Sequence, residues 1–150
     1  MSSHQPVVTD QILELIESRS DEQRGNRKMS DEVVQALKDC GFYTMMLPKK
    51  WGGQEQWPQE FFREQIRIAE ADMSTAWASG IIAVHAFQIA LMSEEAQGEV
   101  YESDPNTLVS SSYNPVGAKA ASCDGGFMLS GRWGWSSGSE HCSWAVSYTH

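Results

Sequence analysis

Basic residues are scarce in this chain. Lys and Arg number 11 against 20 Asp and Glu, a formal net charge of −9 at pH 7. No basic stripe exists to displace counterions from a phosphate backbone, which argues against a nucleic-acid partner. The acidic balance serves solubility. Cysteine is scarce too: Cys40, Cys123 and Cys142 are odd in number and widely spaced, with no CxxC and no zinc pattern. No metal site is expected, and a reduced cytoplasm is the expected compartment. Cys142 follows His141, but neighbouring strand residues face opposite ways, so the two are not expected to form a thiolate couple. Long apolar runs are missing. The longest, residues 76–92, is interrupted by Ser79, His85 and Gln88 and is short of the roughly 20 residues of a bilayer span. The opening MSSHQPVVTD lacks a basic segment followed by an apolar one, so no signal peptide is expected. No internal repeat or low-complexity segment occurs.

What is present is 150 residues, 41% of them hydrophobic, enough for one packed domain or two small halves. Val7, Val8, Ile12, Leu15 and Ile16 recur at helical spacing and predict a first helix over residues 7–24. Ser30 is an N-cap followed by Asp31 and Glu32 in a first turn, and Gly41 ends that second helix. Residues 42–47 read as extended and lead into LPKKWGG, a loop of breakers. Pro58 opens a third helix to Ala71. Asp72 or Ser74 caps a fourth, residues 75–92, apolar nearly all round and so expected at the buried centre of a bundle. Ser93 caps a short helix ending near Tyr101. After Asn106 the texture turns to strands: residues 108–113, 119–122, 127–135 and 143–148, with Asp124-Gly125-Gly126 as a hairpin turn. The fold class is therefore α+β, with a helical domain over residues 1–105 and a partial β-domain over 106–150.

The organising stretch is residues 129–142, LSGRWGWSSGSEHC. Phe127, Leu129, Trp133 and Trp135 share one parity, the mark of a strand with one apolar face. At Ser136 the pattern breaks into Ser-Ser-Gly-Ser, which builds no core but offers backbone N–H groups and short hydroxyls. It suits a flat, polar-edged molecule lying against an indole. The same residues also make an ordinary Trp-rich strand ending in a polar turn.

This stretch resembles the flavin-contacting strand of the acyl-CoA dehydrogenase fold, roughly Gly-x-x-x-Trp-Ile-Thr-Asn, on which Gly131, Trp135 and Ser137 fall. LPKKWGG resembles the Pro-x-x-x-Gly-Gly turn of that fold. GRWGWSSGSEHC together with SSSYNPVG (residues 110–117) more closely resembles one branch: the oxygenase component of two-component flavin monooxygenases, such as the p-hydroxyphenylacetate and seco-steroid phenol hydroxylases. The dehydrogenases read Glu-Pro-x-x-Gly-Ser-Asp and Trp-Ile-Thr-Asn where this chain reads NPVGAKAA and Trp-Ser-Ser-Gly. Both departures favour the oxygenase branch. The resemblance runs from about residue 30 to residue 144.

The resemblance implies a helical domain followed by an antiparallel β-barrel domain, truncated here before a C-terminal helical bundle, with a few foreign residues at the end. Such a piece is expected to be inactive alone. The resemblance implies reduced FMN as cofactor, with FADH2 the other option, delivered by a separate flavin reductase. It also implies O2, a phenolic or other aromatic substrate, and a homotetramer at full length. Trp135 would pack on the flavin, and Ser137, or else Ser136, would face its N(5). Ser111, Ser112, Tyr113 and Asn114 would contact the pyrimidine edge. His85 stands for a histidine that these hydroxylases carry near the phenol oxygen after Gly-x-x-x-His. Counted from Gly80 the spacing here is one residue longer, so the register rests on Trp77 and Gln88. Imidazole, with a pKa near 6.5, suits accepting a phenolic hydrogen; a lone histidine on an apolar helix also serves as plain core. Trp77, just over two helical turns before His85, either walls an aromatic ring or packs the core. Two other readings stand beside this one: an acyl-CoA dehydrogenase, and a non-catalytic helical interaction module.

Overall fold

The computed structural model describes residues 6–114 and 116–147. Five helices come first: α1 (Asp10–Asn26), α2 (Asp31–Asp39), α3 (Pro58–Ala71), α4 (Met73–Ile89) and α5 (Glu94–Tyr101). Four short strands follow: β1 (Val109–Ser112), β2 (Lys119–Cys123), β3 (Gly126–Ser130) and β4 (Trp144–Ser147). Caps fix the helix starts. The Ser30 hydroxyl accepts from the Val33 amide at 3.2 Å, the Asp72 carboxylate from Thr75 at 2.7 Å, and the Ser93 hydroxyl from Ala96 at 3.3 Å. Each satisfies an amide the first helical turn leaves orphaned. Between the two candidates for the fourth helix, Asp72 is the cap.

The core lies among α1–α4. Phe42 meets Phe61 and Tyr43 at ring-centroid distances of 5.3 and 5.6 Å, with Ile16, Leu37, Met45 and Ile68 fully buried around them. Residues 42–47 are not extended as expected; Phe42–Thr44 is a 3-10 turn, with all of 42–47 buried. The apolar run is long enough for a strand, but no second strand lies beside it, so it coils inward. It is held by a short ladder to residues 54–56: Gln54 and Gln56 amides donate to Thr44 and Met45 carbonyls at 3.0 and 2.7 Å. The LPKKWGG segment makes that ladder possible. At Gly53 a Cβ would run into the Leu47 carbonyl, whose carbon would be 2.5 Å away. Gly53→Ala is thus expected to cost about 1–3 kcal/mol through forced backbone movement, read as a lower urea midpoint at unchanged slope.

Helix α4 departs from the expectation of an all-round buried centre. Ala76, Ile82, Ala83, His85, Ala86 and Ile89 are buried, while Trp77 is 63% and Phe87 42% exposed. Helix α3, the 42–44 turn and β1 cover one side of α4; the other side is open. Among the described residues the strands form two separate pairs and close no barrel. β2 and β3 are an antiparallel hairpin, Lys119 opposite Ser130, as the Asp-Gly-Gly turn predicted. β1 and β4 pair in parallel, Val109 beside Trp144, not antiparallel as expected. The connection from β1 to β4 detours through the β2–β3 hairpin and re-enters in the same direction. Of residues 146–150, where foreign residues were expected, 146 and 147 belong to β4; residues 148–150, where the last strand was expected to end, lie outside the described residues, as does Pro115.

Candidate functional site

The strand expected over residues 127–135 ends at Ser130. Its parity argument for one apolar face fails because both strands of the hairpin are exposed along their whole length. Gly131 takes φ 152° and Trp135 φ 61°, so residues 131–138 form an irregular loop that turns back onto α4. The close approach requires glycine at 138: its φ is 76°, and a Cβ there would stand 2.6 Å from Ile82 Cδ1. Helix α4, strand β1 and this loop thereby converge.

At the centre of the convergence is His85, fully buried. Its Nδ1 lies 2.5 Å from the Ile81 carbonyl and its Nε2 2.5 Å from Ser111 Oγ. A carbonyl only accepts, so Nδ1 carries the proton and Nε2 accepts from the Ser111 hydroxyl. The imidazole ring lies nearly parallel to Tyr113, centroids 6.4 Å apart, and the Tyr113 hydroxyl donates to Gln88 Oε1 at 2.8 Å. Burial holds the His85 pKa below its usual value, opposed in part by the backbone carbonyls of Ile81 and Ile82. The ring is neutral at pH 7.

The loop serines divide by what their hydroxyls do. Ser136 Oγ donates to the Ser111 carbonyl at 2.9 Å. Ser112 Oγ donates to the Gly134 carbonyl, and the Asn114 amide leans on Ser112 Oγ at 3.4 Å. These bonds fasten the loop to β1. Ser137 differs: its Oγ accepts from Trp77 Nε1 at 3.2 Å, leaving its own proton available to donate. Trp135 is 92% exposed. Trp77, Trp135, Ser136 and Ser137 line a cleft of about 440 Å³, closed on the far side by the end of α1. That volume is within the range of small-molecule sites. Of the residues singled out in the sequence, Trp77, Trp135, Ser136 and Ser137 share this cleft. His85 and Ser111 are buried and do not line it, and Tyr113 and Asn114 sit at the exposed end of β1. Among the described residues no group of acidic, histidine or cysteine side chains is arranged to hold a metal ion, and no helix is long and apolar enough to cross a membrane.

Two further polar residues lie close by: Gln23, which sequence reasoning passed over, and His141, which it weighed only as a neighbour of Cys142. Gln23, buried, donates to Thr75 Oγ1 at 3.0 Å and accepts from the Ser30 amide at 2.9 Å. It clamps α1, α2 and α4 at the cleft wall. His141 sits 3.5 Å from Asp31; burial, ahead of the pull of Glu140, lowers its pKa. His85 and His141 thus share one sign. The unfolded chain binds protons more readily below about pH 6.5, so stability is full above that value and falls as pH drops beneath it. The urea midpoint is expected to fall from pH 7 to pH 5, and less steeply in His85→Asn, which removes one of the two groups.

No family model matches the chain. The oxygenase subunit HsaA of a flavin-dependent monooxygenase from Mycobacterium tuberculosis is 43% identical over 138 residues, covering 92% of this chain and 35% of its own length. The oxygenase component of p-hydroxyphenylacetate 3-hydroxylase from Acinetobacter baumannii is 35% identical over 136 residues, with 91% and 32% covered. The solved HsaA monooxygenase from M. tuberculosis superposes with a TM-score of 0.88 at 36% identity, over 95% of this chain and 40% of that one. The chain spans about a third of the length of the curated relatives it matches. Over that shared length, in sequence and in fold, it belongs to the oxygenase components of flavin-dependent monooxygenases.

Proposed function

We propose that the cleft between α4 and residues 131–138 is the flavin-side wall of an oxygenase that hydroxylates a phenolic or other aromatic compound. The activity belongs to a protein of the relatives' full length. There, residues 1–105 and 106–150 would be its helical domain and the start of a barrel-forming β-domain, the whole a cytoplasmic homotetramer served by a separate flavin reductase. The observation that carries the reading is the joint placement of Trp77, Trp135 and a Ser137 hydroxyl with a proton to donate in one cleft. These residues fit a reduced flavin, preferably FMN: an exposed indole offers its face to a fused ring, and the Ser137 hydroxyl, which can donate or accept, offers a hydrogen-bond partner to a ring nitrogen. When bound, the reduced flavin would activate O2 for transfer to the substrate ring.

The protein's part is to bind, orient and move a proton. Trp135 packs on the flavin ring. Ser137 hydrogen-bonds N(5), and the backbone at Ser111, Ser112, Tyr113 and Asn114 borders the pyrimidine edge. Trp77 walls the substrate. His85 accepts the phenolic proton at Nε2 by way of Ser111 Oγ, since the imidazole is buried and its Nδ1 proton is fixed on Ile81. A phenolate is the better nucleophile toward electrophilic oxygen. Anaerobic titration with reduced FMN, followed by tryptophan quenching, tests the reading. Saturable binding, tighter for reduced than for oxidised flavin, is expected; no binding of reduced flavin overturns it. Tighter binding of the oxidised form would favour a dehydrogenase.

Ser137 and Ser136 separate in this test. Ser137→Ala removes a hydrogen bond worth about 1 kcal/mol, roughly a fivefold loss of reduced-flavin affinity, with the fold intact by circular dichroism. Ser136→Ala loosens the loop from β1 instead, and is expected to lower the urea midpoint while leaving reduced-flavin affinity within about twofold. The reverse pattern would move the N(5) role to Ser136.

A further inference from the structure

The cleft has a second wall that the flavin reading does not use. Arg24, Arg27 and Lys28 line it opposite the two indoles. Arg24 sits in the last turn of α1, Arg27 is the residue that caps that helix and Lys28 follows it, and the Gln23 clamp holds that end against α4. In a chain of net charge −9 with 11 basic residues, three cations at one cleft are a local reversal of sign. Glu140 is the acidic residue on the same rim. Two of the cations are occupied: Arg24 pairs with Asp21 and Lys28 with Asp31, each at 3.0 Å. Arg27 makes no ion pair among the described residues. Its backbone is held at φ 54°, the left-handed region where an arginine is uncommon.

We propose that Arg27 is an anion-recognition residue of this cleft. The site would take an aromatic ligand with an acidic group, its ring against Trp77 and Trp135 and its anion on the Arg27 guanidinium. The inference rests on the proposed role of the cleft as a ring-binding site. Two sources present that chemistry: the carboxylate of an aromatic acid substrate, and the phosphate of the flavin. An exposed guanidinium is open to water and salt, so the effect is moderate and shrinks as ionic strength rises.

The test is calorimetric titration of the chain with two matched pairs: 4-hydroxyphenylpropionate against its neutral amide, and reduced FMN against reduced riboflavin. Asparagine tolerates the left-handed backbone, so Arg27→Asn removes the charge without straining the helix end; circular dichroism checks the fold. The anionic member of at least one pair is expected to bind about three- to tenfold tighter at low salt. In Arg27→Asn that preference disappears while the neutral member binds as before. A preference within the phenolic pair assigns Arg27 to the substrate; one within the flavin pair assigns it to the phosphate. Equal binding within both pairs, or a preference that survives Arg27→Asn, overturns the inference. If neither flavin binds but the phenolic preference exists and is lost in the variant, the flavin reading fails and the anion site stands. If none of the four binds, both fail.

Discussion

Glu64→Ala is expected to destabilise the fold by about 3–5 kcal/mol. The Glu64 residue is 1% exposed. Its two oxygens accept from the Val7 and Val8 amides at 3.2 and 3.1 Å, and Arg67 Nη1 donates to it at 3.0 Å. Arg67 in turn reaches Asp10 Oδ1 at 2.8 Å and the Val8 carbonyl. One carboxylate therefore ties the segment before α1 to α3, with Val8 fully buried beside it. Truncation strands the Val7 and Val8 amides and removes one partner of the part-buried Arg67 guanidinium, and each orphaned group costs its own desolvation. Glu64→Gln keeps one acceptor oxygen and the shape, and is expected to lose less than half as much. Because the Glu64 carboxylate is buried, 1 M salt should narrow the difference between wild type and Glu64→Ala much less than it would for a surface pair. Equilibrium urea unfolding at low and high salt measures this. A loss below about 1 kcal/mol would show that the segment docks through Val8 alone.

Glu64 also shows where the sequence was readable and where it was not. The helices were legible because apolar spacing and caps act locally: Pro58–Ala71 falls where predicted, and Ser30 and Ser93 cap as read. The hairpin turn at residues 124–126 was legible for the same reason. Glu64 was hidden, since an acidic residue in PQEFFREQIRI reads as solvated. Its spacing from Phe61 and Ile68, i+3 and i+7 along the same stripe, was the available signal. The end of the strand at Ser130 was hidden more deeply. Alternation of Phe127, Leu129, Trp133 and Trp135 signals a strand only if one face meets a core, and nothing covers that hairpin here. In the candidate site, residue types were legible through the family resemblance, while hydroxyl directions were not. That Ser136 and Ser112 spend their protons on backbone carbonyls, and Ser137 does not, is a property of three elements meeting across 25 or more residues in two of the bonds and 22 in the third.

In a protein of the relatives' full length carrying this sequence, His85→Asn is expected to slow oxygen transfer about 10²–10⁴-fold near neutral pH, the usual worth of general acid–base assistance. The structure already makes His85 a satisfied core residue, with both ring nitrogens bonded, so a stability loss of about 1–3 kcal/mol is expected whatever its chemical role. Stability alone decides nothing; the readout must be one that packing leaves unmoved. Reduced flavin should bind the variant as before, because the buried ring does not line the cleft. Product formed per NADH should fall, with the balance appearing as hydrogen peroxide. The loss should shrink as pH rises toward the phenol's own pKa, since solution then supplies the phenolate that His85 and Ser111 otherwise provide. The usable window ends near pH 9. Burial pushes the Cys142 thiol up to about 11 and raises the Tyr43 hydroxyl as well, so the unfolded chain sheds protons first and stability falls as pH climbs above the ordinary thiol value. Between pH 6 and 9 a relay through Ser111 makes one further demand: Ser111→Ala should reproduce the pH-dependent uncoupling of His85→Asn, and the double variant should be no worse than either. Normal coupling in His85→Asn across that window would return the histidine to a purely structural role. Uncoupling in His85→Asn with normal coupling in Ser111→Ala would place the imidazole in direct contact with the phenol, requiring the ring to turn out from beneath β1 during the reaction.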